Sequence, residues 1–177
     1  MSLSVNDRAE RLAAFRWVEV RLMEAAAAWT PTTPELELKV LLGRHIWDFA
    51  QHADALGKRT FELRHPEQYT RRPGEAYVAL VDDVVRLEPT ADRLAALYDV
   101  LLPGLARRYA RYLDETDRLL DGPSVVVVER ILADLGRQQA DALRLRADLG
   151  LPRPGGEPWR GREAAIDQLV APTPAAT

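Results

Sequence analysis

Apolar and polar residues alternate along most of this chain with the period of a helix. Between Leu38 and Leu56, the residues Leu38, Leu41, Leu42, His45, Phe49, His52 and Leu56 share one arc at about 100° per residue, while Lys39, Arg44, Trp47, Gln51, Asp54 and Lys58 face elsewhere. The stretch from Thr33 through Leu63 is therefore predicted to be one long amphipathic helix, with Thr33 as N-cap, Pro34 at the first helical position and Glu35 against the positive end of the dipole. A first helix is predicted to start at Asn6 and Asp7 as caps and to run to about Trp29. Its inner arc holds Leu12, Phe15, Val18, Leu22, Met23, Ala25 and Ala26, with Glu19 in their midst. The short link Pro31-Thr32-Thr33-Pro34 predicts that these two helices lie antiparallel as a hairpin.

After Leu63 the pattern breaks at His65-Pro66 and Arg71-Arg72-Pro73-Gly74, and a weakly amphipathic segment, Glu75 to Leu87, follows. So long a link fits a crossover that starts the next helix at the same end as the second. Within the link, Asp82-Asp83 and His65 are expected to be surface residues. The third helix is predicted from about Ala91 to Leu119, with Leu94, Leu97, Leu101, Leu105, Arg108, Tyr112 and Thr116 inside, Tyr98 and Tyr109 beside them, and a kink at Pro103-Gly104. Asp121-Gly122-Pro123 restarts the chain as a fourth helix ending near Leu149-Gly150. Its inner arc is predicted to carry Val125, Val128, Leu132, Leu135, Gln139, Ala142 and Leu143, with Glu129 on the same side. The expected fold is all-α: one domain over residues 1–150 and a Pro-, Gly- and Ala-rich tail over 151–177, in which Trp159 and Ile166 to Leu169 dock as a cap.

Composition narrows the chemistry. The 177 residues are 47% apolar, enough for a real core, and a net charge of −3 argues against a nucleic-acid partner. There is no cysteine, so thiolate chemistry and disulfides are excluded, and any metal would need His and carboxylate ligands. Met1 to Arg11 carries no apolar leader core, and no run of about 18 apolar residues occurs, so a cytoplasmic chain without membrane spans is expected.

The candidate chemistry lies on the inner arcs. His45 and His52 are two turns apart, roughly 10.5 Å along the axis, too far to grip one ion side by side, with Phe49 between them. Asp48 borders that arc and could orient either ring. Glu19 on a buried face must be paired, hydrogen-bonded, metal-bound or protonated. Arg108 among tyrosines either anchors an anion or pairs with Glu19 or Glu129.

Two stretches carry a resemblance. Trp47-Asp48-Phe49-Ala50-Gln51-His52-Ala53-Asp54-Ala55-Leu56 resembles the second helix of ferritin-like proteins, where a similar run supplies Glu-x-x-His to a di-metal centre. The patches Leu97-Tyr98 through Tyr112-Leu113 and Glu129 through Leu135 resemble the third and fourth helices. The resemblance spans about residues 8 to 148 and implies a ferritin-like four-helix bundle with a long crossover between helices two and three. Glu19 and His52 match the first glutamate and first histidine of the family's ligand set. Phe49 stands at the helix-two glutamate, Leu135-Gly136-Arg137-Gln138 stands where the fourth helix has Glu-x-x-His, and no inner glutamate is evident near Arg108 to Tyr112. The resemblance thus implies a degenerate site without ordinary di-iron activity.

Three readings follow. In the first, the vacated metal site is a small-molecule pocket for cofactor-independent acid/base chemistry of the isomerase, dehydratase or cyclase type. His52 is then the base, Glu19 its orienter or the acid, and His45 a second proton carrier. Phe49, Asp48, Arg108, Tyr109, Tyr112, Glu129 and Gln139 line the pocket. In the second, these groups form a satisfied polar network in a structural or partner-binding bundle. In the third, Glu19, His52 and Glu129 retain a single ion. Trp17 and Trp47, off the inner arcs, point to a helix-face homodimer.

Overall fold

A computed structural model describes residues 3–66 and 69–170. Helix α1 (Val5–Trp29) opens on a reciprocal capping box: the Asp7 amide donates to Ser4 Oγ at 3.1 Å, and the Ser4 amide donates to the Asp7 carboxylate at 3.2 Å. The cap is thus Ser4 rather than Asn6 or Asp7, because Asp7 serves from inside the first turn. At the other end Thr30, Thr32 and Thr33 turn their hydroxyls back onto the carbonyls of Ala26 and Trp29. Thr33 is spent there, buried, and does not cap the next helix. Helix α2 (Leu36–Glu62) starts from Glu35 instead, whose carbonyl accepts the first turn's bond from Lys39.

Helix α3 (Glu75–Val85) lies inside the long link and buries Tyr77, Val78, Leu80, Val81 and Val84 against α1 and the C-terminal segment. The third long segment is continuous but not uniform. It begins as α4 (Thr90–Leu94), widens into a π-helical stretch at Ala95–Leu101, and tightens again as α5 (Leu102–Glu115). Pro103 has no N–H to return to the Asp99 carbonyl and its ring crowds that turn. The helix expands just before it, with the Leu102 amide reaching five residues back to Leu97. The predicted kink is therefore a π expansion. This segment stops at Glu115, not Leu119: Thr116 turns extended, and Asp117 Oδ1 captures the amides of Leu119 and Leu120 at 2.9 Å.

Helix α6 (Gly122–Asp148) buries Ser124, Val125, Val128, Ile131, Leu135, Gln138, Ala142 and Arg146. That face is rotated from the predicted one. Glu129 follows Val128 by one residue and so lies about 100° out, half-exposed and paired to Arg118 at 3.0 Å. Likewise the inward amide is Gln138, while Gln139 bonds its own helix at the Leu135 carbonyl, and Leu143 is exposed.

Side-chain pairs fix the directions. Arg16 meets Ala53 and Glu19 meets His52, so α1 and α2 are antiparallel. His52 meets Asp134, Asp48 meets Gln138 and Arg44 meets Asp141, so α2 and α6 are antiparallel too. Glu35 meets Thr90 and His45 meets Tyr98, so the third segment runs parallel to α2, as the crossover requires. One core results, filled by Phe15, Phe49, Tyr77, Tyr109, Tyr112 and the leucines of all four long segments.

Residues 151–170 continue over this core, with a short helix α7 (Trp159–Ala164) and a buried Leu169. The Gly74 amide donates to the Leu169 carbonyl at 2.9 Å, which ties the segment to the start of α3. Residues 171–177 of the tail lie outside the described residues. Among the described residues there are helices and no strands, and no helix is long and apolar enough to cross a membrane.

Candidate functional site

Glu19 sits between Val18 and Leu22 on the inner face of α1, wholly buried, and α2 brings His52 opposite it. His52 Nδ1 lies 3.1 Å from Glu19 Oε2, and Tyr109 of α5 donates its hydroxyl to Glu19 Oε1 at 2.8 Å. The other imidazole nitrogen, Nε2, lies 3.3 Å from Asp134 of α6. Arg137, one turn on, donates to Asp134 at 2.8 Å and to Asp48 at 3.0 Å, and Gln138 Nε2 donates to Asp48 at 3.1 Å. A line of hydrogen bonds therefore runs Tyr109–Glu19–His52–Asp134–Arg137–Asp48, crossing all four long segments. Its inner end is closed by aromatic rings: Phe15 packs on Tyr109 at 4.3 Å between centroids, and Phe49 meets His52 edge-on at 6.4 Å.

Charge within this line is set by its neighbours. Burial alone would lower the His52 pKa, but the charge and hydrogen bond of Glu19, with those of Asp134, outweigh it and raise the value above 6.5. For Asp134 burial pushes upward, and hydrogen bonds from Arg137 and His52 more than reverse it, so the carboxyl is held below its ordinary range. Burial drives the Tyr109 phenol well up, helped by the Glu19 charge, so it remains a donor.

His45 is built differently. Its Nδ1 lies 2.7 Å from the Tyr98 hydroxyl, and its pKa is lowered to about 4, chiefly by burial, against weak pulls from Asp48 and Asp141. Tyr98 is itself driven up by burial and keeps its proton, so the phenol donates and His45 accepts in its neutral form.

Several residues expected at one site belong elsewhere. Asp48 orients neither ring; it is held by Arg137 and Gln138, which face it across the α2–α6 seam. Tyr112, one turn beyond Tyr109 on α5, donates to Asp121 at 2.6 Å and not to Glu19. Asp121, wholly buried, also accepts from Thr116 at 2.8 Å, Ser124 at 2.5 Å and Arg59 at 3.2 Å; these bonds lower its pKa although burial pushes the other way. The chain reads there only as a break between helices, and an Asp before Gly-Pro was the sole sign of a hub. Arg108 meets neither Glu19 nor Glu129. It pairs with Glu163 of α7, which also takes Arg107, and donates to the Ile166 carbonyl. Glu163 enters a notch at Gly104, where an added Cβ would come within 1.8 Å of its carboxylate. The sequence signal for this pairing is faint, since partner and acceptor are 55 residues apart.

A di-metal centre does not fit this arrangement. At the ligand positions that the resemblance implies, Phe49 and Leu135 are apolar and wholly buried and Gln138 is an amide, and both Glu19 oxygens and both His52 nitrogens already have partners. The single-ion set loses Glu129 to the surface. Among the described residues no group of three His, Cys, Asp or Glu side chains is arranged to hold a metal ion.

Two hollows lie nearby. One, of about 30 Å³ and partly open to the surface, is lined by Arg11, Phe15, Arg108, Arg111, Asp167 and Leu169, room for little more than a water molecule. The other, a groove of about 600 Å³, opens on the surface between α2 and α6 and is lined by Val40, Gly43, Arg44, Trp47, Asp48 and Arg137. Neither is lined by Glu19, His45 or His52. Compared with known proteins, the chain matches no family model, no curated protein and no solved structure.

Proposed function

We propose that this chain is a ferritin-like four-helix bundle whose metal-ligand layer has been rebuilt as a closed hydrogen-bonded network, and that it works as a binding bundle acting from its surface. The observation that carries this is the saturation of the two residues that match the family's ligands. Glu19 and His52 are 0% and 2% exposed, and each has both of its polar atoms engaged by side chains of other helices. Buried polar groups so matched fix helix register, and a cation or a substrate could reach them only by displacing those partners. The parallel third segment and the crossover support the bundle topology, and the surface groove beside Trp47 supplies a place to bind. The test is metal loading: the chain is incubated with ferrous or manganous ion and then dialysed. Substoichiometric metal, unchanged by Glu19→Gln or His52→Gln, is expected; stoichiometric metal lost in those variants contradicts the reading.

A second reading has one specific observation behind it. Arg137 lines the groove and also holds Asp134, which is a quarter exposed and touches His52. A proton can therefore pass between His52 and solvent at Asp134, beside the arginine that borders the groove. This supports acid/base chemistry on a small anionic molecule held by Arg44 and Arg137, with His52 as proton store and Glu19 as its partner, without a cofactor. A thermal-shift screen of small carboxylates and phosphates decides it. A shift abolished by Arg44→Ala, together with turnover abolished by His52→Gln, supports this chemistry, and the absence of any shift removes it.

A further inference from the structure

The outer face of α2 carries a feature that nothing inside the protomer explains. Leu36, Val40, Gly43 and Trp47 recur at helical spacing on the solvent side, with Leu36 70%, Val40 60% and Trp47 65% exposed. Gly43 lies near the middle of this exposed stretch of a 27-residue helix, and a Cβ built there meets nothing within 4 Å. Glycine in a helix interior costs stability relative to alanine. Gly104 returns that cost by admitting Glu163; Gly43 admits nothing of its own chain. Its gap forms the floor of the α2–α6 groove, and Trp47 stands one turn further along as a projecting ring.

We propose that this face binds a second copy of the same chain. A projection and a recess one turn apart on a single helix are complementary to the same pair presented antiparallel. About a two-fold axis near Gly43 and Arg44, Trp47 of each copy covers Gly43 and packs on Val40 of the other, so one contact fills both recesses. The charges agree. Arg44 and Arg137 stand beside Asp48 and Asp141, so each copy brings both signs to the seam. Arg44, 60% exposed, approaches Asp141 of its own chain only to 3.7 Å, beyond hydrogen-bond length, so its guanidinium is left to meet a carboxylate of the other copy. An aromatic anchor ringed by charges of both signs is the usual make-up of such a contact.

This inference rests on the proposed function in placing the chain's binding on its surface. The absence of cysteine makes the test clean. Light scattering on the purified chain is expected to give the mass of two chains. Trp47→Glu is expected to give the mass of one with its melting temperature, measured under dissociating dilution, unchanged, because the ring touches no core. Arg44→Cys should form a disulfide-linked dimer under mild oxidant, whereas Asp114→Cys on α5, exposed on the far side of the core, should not. A chain that is monomeric at every concentration, or a dimer that persists in Trp47→Glu and fails to cross-link through position 44, overturns the inference. A small anion that occupies the groove of a monomer overturns it as well. A metal-free monomer would defeat only the self-association, and a dimer with stoichiometric metal only the functional reading.

Discussion

His45 and His52 stand two turns apart on one face of α2, equally buried, and the fold treats them in opposite ways. His52 lies between two carboxylates, Glu19 and Asp134, and burial is overruled. His45 has a phenol on one nitrogen, and burial prevails. Position on a helix thus decides that a histidine is interior, and only the groups brought by other helices decide its charge. A charged imidazole donates from both nitrogens, which is what two flanking carboxylates require, whereas a neutral one accepts from Tyr98.

The contrast is broken most severely by removing Glu19. Glu19→Leu strands the Tyr109 hydroxyl and strips His52 of its inner partner, so a loss of about 3–5 kcal/mol is expected in urea unfolding. A change within error would mean that the pair is not formed. At the other histidine, Tyr98→Phe is expected to cost less, about 1–3 kcal/mol, the penalty for one unmatched buried neutral group. Pairing it with His45→Leu should recover much of that loss. The matching double replacement at Glu19 and His52 should recover less, because the buried Tyr109 hydroxyl would still lack its acceptor, although Asp134 keeps Arg137. Smaller still is Asp134→Asn at the partly exposed end of the line. A loss of about 1 kcal/mol is expected there, with the His52 pKa brought down and that of His45 unmoved.

The smallest effect is on stability against pH, where the two histidines have opposite signs. Between about pH 4 and 6.5 the unfolded chain takes up a proton that folded His45 refuses, so its contribution falls as pH drops through that window. The contribution of His52 is complete below 6.5 and is lost as pH rises from there through its raised folded value. Urea midpoints measured across pH should show the acid-side slope reduced in His45→Leu and the alkaline-side slope reduced in His52→Leu.

Much of this was legible in the chain. The α2 arc is buried from Leu38 to Leu56, both histidines included, and Glu19 is interior as the α1 pattern demands. The parallel third segment followed from the length of the link. What periodicity missed has physical reasons. On α6 the run Val125 to Val128 and two adjacent glutamines are compatible with two arcs a residue apart, and only packing against Asp48 selects Gln138 over Gln139. Nothing in the periodicity singles out Asp134, because its partner histidine is on another helix, 82 positions away. Arg108 reads as an anion anchor or as a partner of Glu19 or Glu129 because Glu163, the residue it does pair with, lies in a segment without clear periodicity.

The comparison comes down to two imidazole titrations, which nuclear magnetic resonance of labelled histidine rings can separate. With His45→Leu and His52→Leu used to assign the signals, His52 is expected to titrate above 6.5 and His45 near 4. Two rings titrating together near 6.5, or His45 above His52, would contradict the closed line of hydrogen bonds from Tyr109 to Asp134.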